Sequence, residues 1–272
     1  MKCLSNWIEK LFIDYGELFL KMVSSGQMWE RGRRSAEAIA RLLKSLGVES
    51  GKVLEVGCGN GRVALHLARY GYEVYGIDIS PILIEDGIKR ARELGLEDRV
   101  KFIAGDAREL VKYLRDYAPF KVVYFIWTTL IGYYDEETDK SILKQCLELT
   151  EEGGYLLILE HSNPHFISLI RNIVPVEGII SHYDDLVVIE YPDYRSERGL
   201  FINTWRFYKQ QNHDLKYLGE VSFQLRAYSL NELIKLAEDV GWKLYKVLGP
   251  TLELESTFRP ALHPINVVFK RC

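Results

Sequence analysis

The 272-residue chain is poor in cysteine, with only Cys3, Cys58, Cys146 and Cys272 and no Cys-x-x-Cys pair. Such scatter argues against a zinc site and against a disulfide framework, and a reducing cytoplasm is its natural compartment. An excess of one sign of charge is also missing: 35 basic residues against 38 acidic ones leave a net charge of −3. No strong positive field is therefore available to attract nucleic acid or an anionic membrane surface. Long apolar runs are absent as well. The longest, Val122 to Tyr134, falls short of the roughly 18 residues that a membrane span needs. Near the start, Trp7, Glu9 and Lys10 leave no signal-peptide apolar region. Internal repeats and low-complexity segments are lacking too. What is present is an ordinary globular composition, 47% hydrophobic and 27% charged, and enough chain for one large domain or one domain with an insertion.

The hydrophobic pattern changes twice along the chain. Residues 1–47 read as helical, with Trp7, Ile8, Leu11, Phe12, Tyr15, Leu18 and Phe19 at helix spacing and a second stretch from Ser35 to Leu46 that stops at Gly47. From Lys52 onward, short apolar runs alternate with amphipathic stretches. The runs are Val53–Val56, Glu73–Ile77, Val100–Ala104, Lys121–Ile126 and Tyr155–Glu160. Helical stretches over Arg62–Tyr70, Ile82–Leu94, Ala107–Tyr117 and Glu137–Leu149 separate them. Strands spaced by helices predict parallel pairing with right-handed crossovers, hence a doubly wound α/β sheet. After residue 181 three strands are expected, over Tyr183–Tyr191, Leu200–Tyr208 and Leu215–Leu225. Their linkers are rich in turn formers (Pro192, Asp193, Ser196 and Gly199, then Asn212, His213 and Asp214), which predicts an antiparallel meander. A helix over Ser229–Val240 starts on a capping-box pattern, Ser229 with Glu232. Strands at Trp242–Leu248 and Ile265–Lys270 complete the chain.

Chemistry concentrates in Val53-Leu54-Glu55-Val56-Gly57-Cys58-Gly59-Asn60-Gly61-Arg62, a buried strand that runs into a glycine-rich turn and a helix. Glycines let the backbone bend sharply and a ligand come close, and the following helix N-terminus offers N–H groups to an anion. A dinucleotide-binding turn wants a third small residue where this chain has Arg62. Asp78, at the end of the second strand and about 20 residues on, would hold a ribose diol in either kind of site. Asp106 discriminates, following the third strand in Phe102-Ile103-Ala104-Gly105-Asp106-Ala107. Each acid also has a purely structural reading: Asp78 and Asp106 as helix caps, Glu55 as a buried acceptor. One cofactor would explain all three together.

Through Val53–Arg62, Val74–Ser80, Phe102–Leu110, Phe120–Trp127 and Gly153–Glu160, in that order and spacing, the sequence resembles the class I S-adenosylmethionine-dependent methyltransferases. The resemblance covers about half the chain directly. It implies a seven-stranded, mostly parallel sheet with its last strand antiparallel, and S-adenosylmethionine as cofactor. Gly57, Cys58 and Gly59 would pass beside the methionine moiety, with Glu55 near its ammonium. Asp78 would accept both ribose hydroxyls, Asp106 would accept from the adenine amino group, and Ala107 would offer a backbone N–H. Ile79 would pack on adenine, while Ile126 and Trp127 would line the floor near the sulfonium. Similar small-molecule methyltransferases carry an antiparallel sheet where this chain has residues 181–226, which makes 1–180 and 227–272 the core, 1–47 a helical cap and 181–226 a lid. A homodimerisation surface is the other use of that insertion.

Methyl transfer from a sulfonium needs alignment and exclusion of water more than a strong base. The expected catalytic or acceptor-side residues follow the fourth and fifth strands: His161, because imidazole titrates near neutrality, with Tyr133 and Tyr134. A structural histidine and plain core tyrosines are the competing readings. Glu160, His161 and His165 invite a metal, but Asn163 and Pro164 break the register that would align the histidines, so no metal is expected. Trp29, Arg31 and Arg33 form either a cofactor contact or a solvated basic helix face. Between His182 and Arg226 seven acids mix with six bases, leaving no stripe for a phosphate backbone. The fourth strand ends Phe125-Ile126-Trp127-Thr128, without the Asp/Asn-Pro-Pro-Tyr/Phe ending of nucleic-acid amino-methyltransferases, so a small-molecule acceptor is favoured. Two other functions stay open: a nicotinamide-dependent oxidoreductase, and a non-catalytic cofactor-binding partner subunit.

Overall fold

The computed structural model describes residues 6–173 and 177–272; the first five residues of the expected helical cap, Cys3 among them, lie outside this range. The N-terminal segment forms α1 (Asn6–Glu9), a π-turn over Lys10–Asp14, α2 (Gly16–Ser24) and α3 (Gly26–Ser45). The expected second helix thus begins nine residues earlier than Ser35, the difference between 35 and 26. Five strands follow: β1 (Gly51–Val56), β2 (Tyr72–Asp78), β3 (Val100–Ala104), β4 (Phe120–Ile126) and β5 (Thr150–His161). Helices α4 (Ala64–Ala68), α5 (Pro81–Glu93), α6 (Leu110–Leu114) and α7 (Glu136–Leu149) lie between them. The stretch read as one helix, Ala107–Tyr117, is α6 flanked by two 3-10 turns.

Next come α8 (Pro164–Ile173), four strands β6 (Ile179–Tyr183), β7 (Leu186–Arg195), β8 (Leu200–Gln211) and β9 (Asp214–Arg226), then α9 (Leu230–Glu238), β10 (Trp242–Leu248) and β11 (Ile265–Arg271). The seven-stranded sheet runs β10-β11-β5-β4-β1-β2-β3. The pairs from β3 to β5 are parallel, whereas β11 pairs antiparallel with both β5 and β10. Strand order turns around between β1 and β4, and a sheet of this kind binds ligands in the crevice beyond the strand carboxyl ends at that point.

Alternation along the strands divides the interior in two. Val53, Val74 and Val122 face α3 and α4, whereas Leu54, Tyr75 and Val123 face α6, α7 and α9. A third core joins the two layers of the molecule. Trp7, Leu11, Met22 and Val23 of the N-terminal helices pack on Leu186, Val188, Phe207, Val221 and Phe223 of the second sheet. An ion pair between Lys21 and Asp185 adds to that contact. No helix among the described residues is long and apolar enough to cross a membrane.

The insertion departs from expectation in one respect. Tyr183–Tyr191, read as one strand, contains the turn Asp184–Asp185 of a β6–β7 hairpin, so the meander has four strands and begins at Ile179. Asp184 takes the left-handed conformation, φ +57°, which aspartate tolerates better than most residues. At the far end the capping box is formed as expected: Ser229 and Glu232 exchange hydrogen bonds at the start of α9.

Candidate active site

Beyond the carboxyl ends of β1, β2 and β4 a cavity of about 450 Å³ opens, roofed by the N-terminal helices and the second sheet. The glycine turn forms its floor. Gly57 and Cys58 donate their N–H groups to the Ile77 carbonyl at 2.8 and 3.1 Å, drawing the turn onto β2. Gly57 has φ +74°, and a Cβ there would lie 2.0 Å from Thr129 Cγ2, so only glycine fits. Gly61 is bound in the same way, with φ +74° and the Phe102 ring 2.1 Å from where a Cβ would stand.

Asp78 sits at the tip of β2 with each carboxylate oxygen accepting one backbone N–H, Gly59 at 2.8 Å and Ser80 at 2.9 Å. Burial raises its pKa, and those N–H bonds work against the rise. An ionised carboxylate has about four lone-pair sites, so Asp78 is held in place with capacity to accept further donors. The cap-like bond to Ser80 thus coexists with a place on the cavity wall.

Glu55 is buried in β1 and accepts the Tyr124 hydroxyl at 2.8 Å. Burial pushes its pKa up to about 8, with the Tyr124 bond and the nearby Arg62 charge working against the rise. Arg62 itself is buried, and burial pushes its pKa down to about 10 despite Glu55 and Asp78. Its side chain packs beside Gly32 of α3, where a Cβ would come within 3.0 Å of Arg62 Cγ. The guanidinium then lies 4.2 Å from the Trp127 ring centroid, and that of Arg31 lies 4.8 Å from it, within the range of cation–π attraction. Arg31 also pairs with Glu160 at 2.9 Å. Of the N-terminal candidates it is Arg31 that reaches the cavity, while Arg33 pairs with Glu30 on its own helix.

Asp106 lines the same cavity but is engaged by Arg108, which donates from its backbone N at 2.8 Å and from its guanidinium fork. An adenine amino group would have to displace part of that fork. Cys58, Ile79, Ala107 and Trp127 also line the cavity. Ile126 does not: it is buried in the core beneath, and the chain turns at Trp127, φ +61°.

Tyr133 and Tyr134 both border the cavity, Tyr133 with its ring centroid 4.9 Å from that of Trp7. Burial raises both phenols, Tyr134 to about 12, so they stay protonated near neutrality and line rather than deprotonate. His161 is a correction. Its neighbours Glu160 and Ser162 face the cavity, while His161 is buried outside it. Burial pushes its pKa down to about 4, and its Nε2 has no hydrogen-bond partner. Among the described residues no three His, Cys, Asp or Glu side chains converge on a metal position.

The second-sheet side of the cavity was missed from sequence. Phe201, Asn203 and Trp205, spaced by two along β8, face it together with Glu190 and Phe223. Their period-two spacing was the available signal.

In fold the molecule is a class I methyltransferase. It resembles the CcbJ methyltransferase from Streptomyces caelestis, with a TM-score of 0.70, 20% identity, and coverage of 88% of this chain and 89% of that one. An S-adenosylmethionine-dependent methyltransferase from Clostridium acetobutylicum superposes with a TM-score of 0.73 at 12% identity, covering 96% and 99%. Residues 48–184 match the methyltransferase domain model, and the chain belongs to that family. A probable chloroplastic tocopherol O-methyltransferase from Oryza sativa subsp. japonica is 48% identical over 58 residues, 21% of this chain and 16% of that protein. The chain spans less than half the length of the first curated relatives it matches.

Proposed function

We propose that the chain binds S-adenosylmethionine in this cavity and transfers its methyl group to a small-molecule acceptor enclosed under the second sheet. The observation that carries the reading is that Asp78 and Asp106, on neighbouring strand tips, border one cavity with the glycine turn. The residues fit the cofactor by charge and shape. Asp78 is an oriented acceptor for a ribose diol, and Glu55 lies near enough to the turn to take an ammonium. Arg62, whose Nε lacks a partner, offers a cation to a carboxylate. Ile79 and Ala107 supply apolar surface for adenine, and Trp127 borders the reacting end.

When bound, the cofactor's sulfonium supplies an electrophilic methyl group whose departure leaves a neutral thioether. The protein's work is then to align the acceptor and exclude water. Residues 179–226 serve as the lid, and Tyr133 and Tyr134 form part of the acceptor wall. The scattered cysteines suit a cytoplasmic protein. A dinucleotide is disfavoured because Arg62 fills the position that close helix–strand packing would reserve for a small side chain.

Calorimetry with S-adenosylhomocysteine and NAD in parallel tests this reading. Binding of the first and not the second is expected. Tight NAD binding with no response to S-adenosylhomocysteine would replace the methyltransferase with an oxidoreductase.

A further inference from the structure

The lid face of the cavity is a wall of aromatic rings with one polar break. Phe201 and Trp205 of β8, Phe223 of β9 and Tyr133 supply the rings, and Trp205 and Phe223 meet edge to face at 5.3 Å between centroids. The break is Glu190 on β7 and Asn203 on β8. Asn203 donates its Nδ2 to Glu190 Oε2 at 2.9 Å. A carboxylate can only accept, so this bond fixes the amide orientation and turns the Asn203 carbonyl away from it. That carbonyl oxygen is buried in a residue only 3% exposed and has no hydrogen-bond partner. An unsatisfied buried acceptor on a cavity wall marks a place where a ligand donor belongs. Burial also raises the pKa of Glu190, with the Asn203 bond working against the rise.

Resting on the methyltransferase reading, we propose that Glu190 and Asn203 form the subsite for the acceptor's reactive head, and that this head is an amine carried on an apolar body. The chemistry selects it in three ways. The subsite offers two acceptors, the Asn203 carbonyl and the Glu190 carboxylate, and a group that brings two donors satisfies both; one N–H of the Asn203 amide is held by Glu190, while its second N–H and the unpartnered Trp205 indole N–H stand beside them. A primary amine brings two N–H groups, whereas a hydroxyl brings one. An acceptor carboxylate would meet Glu190 as a like charge. The ring faces around the subsite favour a group that becomes cationic.

The amine reacts in its neutral form, an arriving ammonium first giving one proton to water, and the step then balances with no protein base. The lone pair of the neutral amine forms the new N–C bond as the C–S bond breaks, its electron pair going to sulfur. Positive charge thereby moves from sulfur to nitrogen, beside the Glu190 carboxylate. A negative group placed where charge develops stabilises the transition state more than the ground state.

Three probes with the same apolar body test this: phenethylamine, 2-phenylethanol and phenylacetate, followed by saturation-transfer NMR on the full chain saturated with S-adenosylhomocysteine. Phenethylamine should give the strong response. Glu190→Gln and Asn203→Ala should each weaken it roughly tenfold or more, the scale expected for a lost charge-assisted or buried hydrogen bond. Both variants should keep their S-adenosylhomocysteine affinity by calorimetry, which also reports that they fold. Equal or stronger responses from the alcohol or the acid, no response to the amine, or an amine preference that survives in both variants would overturn the proposal. Failure of wild-type protein to bind S-adenosylhomocysteine would instead sink the underlying methyltransferase reading, and this subsite assignment with it.

Discussion

The Asp78 carboxylate accepts the N–H of Gly59 at 2.8 Å, so the tip of β2 holds the glycine turn that leaves β1. One carboxylate therefore shapes the turn and faces the cavity that the turn borders. Replacing Asp78 with Ala should weaken S-adenosylhomocysteine binding by about 1.5–3 kcal/mol, the scale of hydrogen bonds to charged groups. Calorimetry on a variant shown to be folded checks this. An unchanged affinity would take Asp78 out of the site.

Gly57→Ala meets two costs at once, a left-handed backbone and the Thr129 methyl 2.0 Å from the new Cβ. A loss of about 2–4 kcal/mol is expected, combining the strain with overpacking. Adding Thr129→Ser removes the methyl and should restore part of the loss in thermal unfolding. No recovery in the double variant would show that the backbone term alone accounts for the loss.

His161 is held neutral in the folded protein, with a pKa of about 4 against an ordinary 6.5. Between those values the unfolded chain binds a proton that the folded one refuses, so this group makes stability fall as pH falls from 6.5 toward 4. His161→Phe should remove about 1–2 kcal/mol of the stability difference between pH 7 and pH 5 in urea denaturation. Cofactor affinity and turnover at pH 7 should survive the change. A collapse of turnover with affinity intact would return His161 to the chemistry.

The buried carboxyl of Asp139 joins α7 to the segments on either side, accepting the Gly132 N–H at 3.0 Å and the Tyr228 hydroxyl at 2.9 Å. Burial pushes its pKa up to about 7, and the Tyr228 bond restrains the rise. Because the folded pKa is raised, stability from this group is greatest at low pH and is lost as pH rises toward 7. Tyr228→Phe should cost about 1–3 kcal/mol for the lost partner. It should also raise the Asp139 pKa further, so the deficit measured by urea unfolding should be larger at pH 8 than at pH 6. An equal deficit at both pH values would mean that Asp139 does not titrate there.

Much of this architecture was legible because strong local signals agreed with the fold. The runs at Val53–Val56 and Lys121–Ile126 are core strands, and the Ser229–Glu232 pattern is a formed capping box. The positions of the glycine turn, Asp78 and Asp106 beyond the strand ends were legible for the same reason: turn chemistry and strand ends are local properties. Side-chain direction at the rim was not. His161 was expected to follow β5 into the cavity, yet β5 carries an extra residue there. Ile265 pairs with His161 while Val267 pairs with Ile158, and Glu160 adopts φ +48°. Such a bulge breaks the period of two and reverses which residues face the ligand.

The β6–β7 hairpin was hidden for a related reason. Its turn is Asp184–Asp185, without the glycine that marks most tight hairpins, and β7 runs on through Pro192, a usual turn former. Pairing with β6 ends at Glu190, and proline is tolerated in a strand once one side becomes an edge. The Glu190–Asn203 pair depends on this arrangement, because only the formed β7–β8 ladder brings the two side chains together.

The most direct measurement is a crystal structure of the chain with S-adenosylhomocysteine. The account predicts both ribose hydroxyls within about 3 Å of the Asp78 carboxylate, the adenine against Ile79 and Ala107, and the sulfur turned toward Trp127 under the second sheet. A nucleoside bound elsewhere, or in the cavity with its ribose turned away from Asp78, would contradict it.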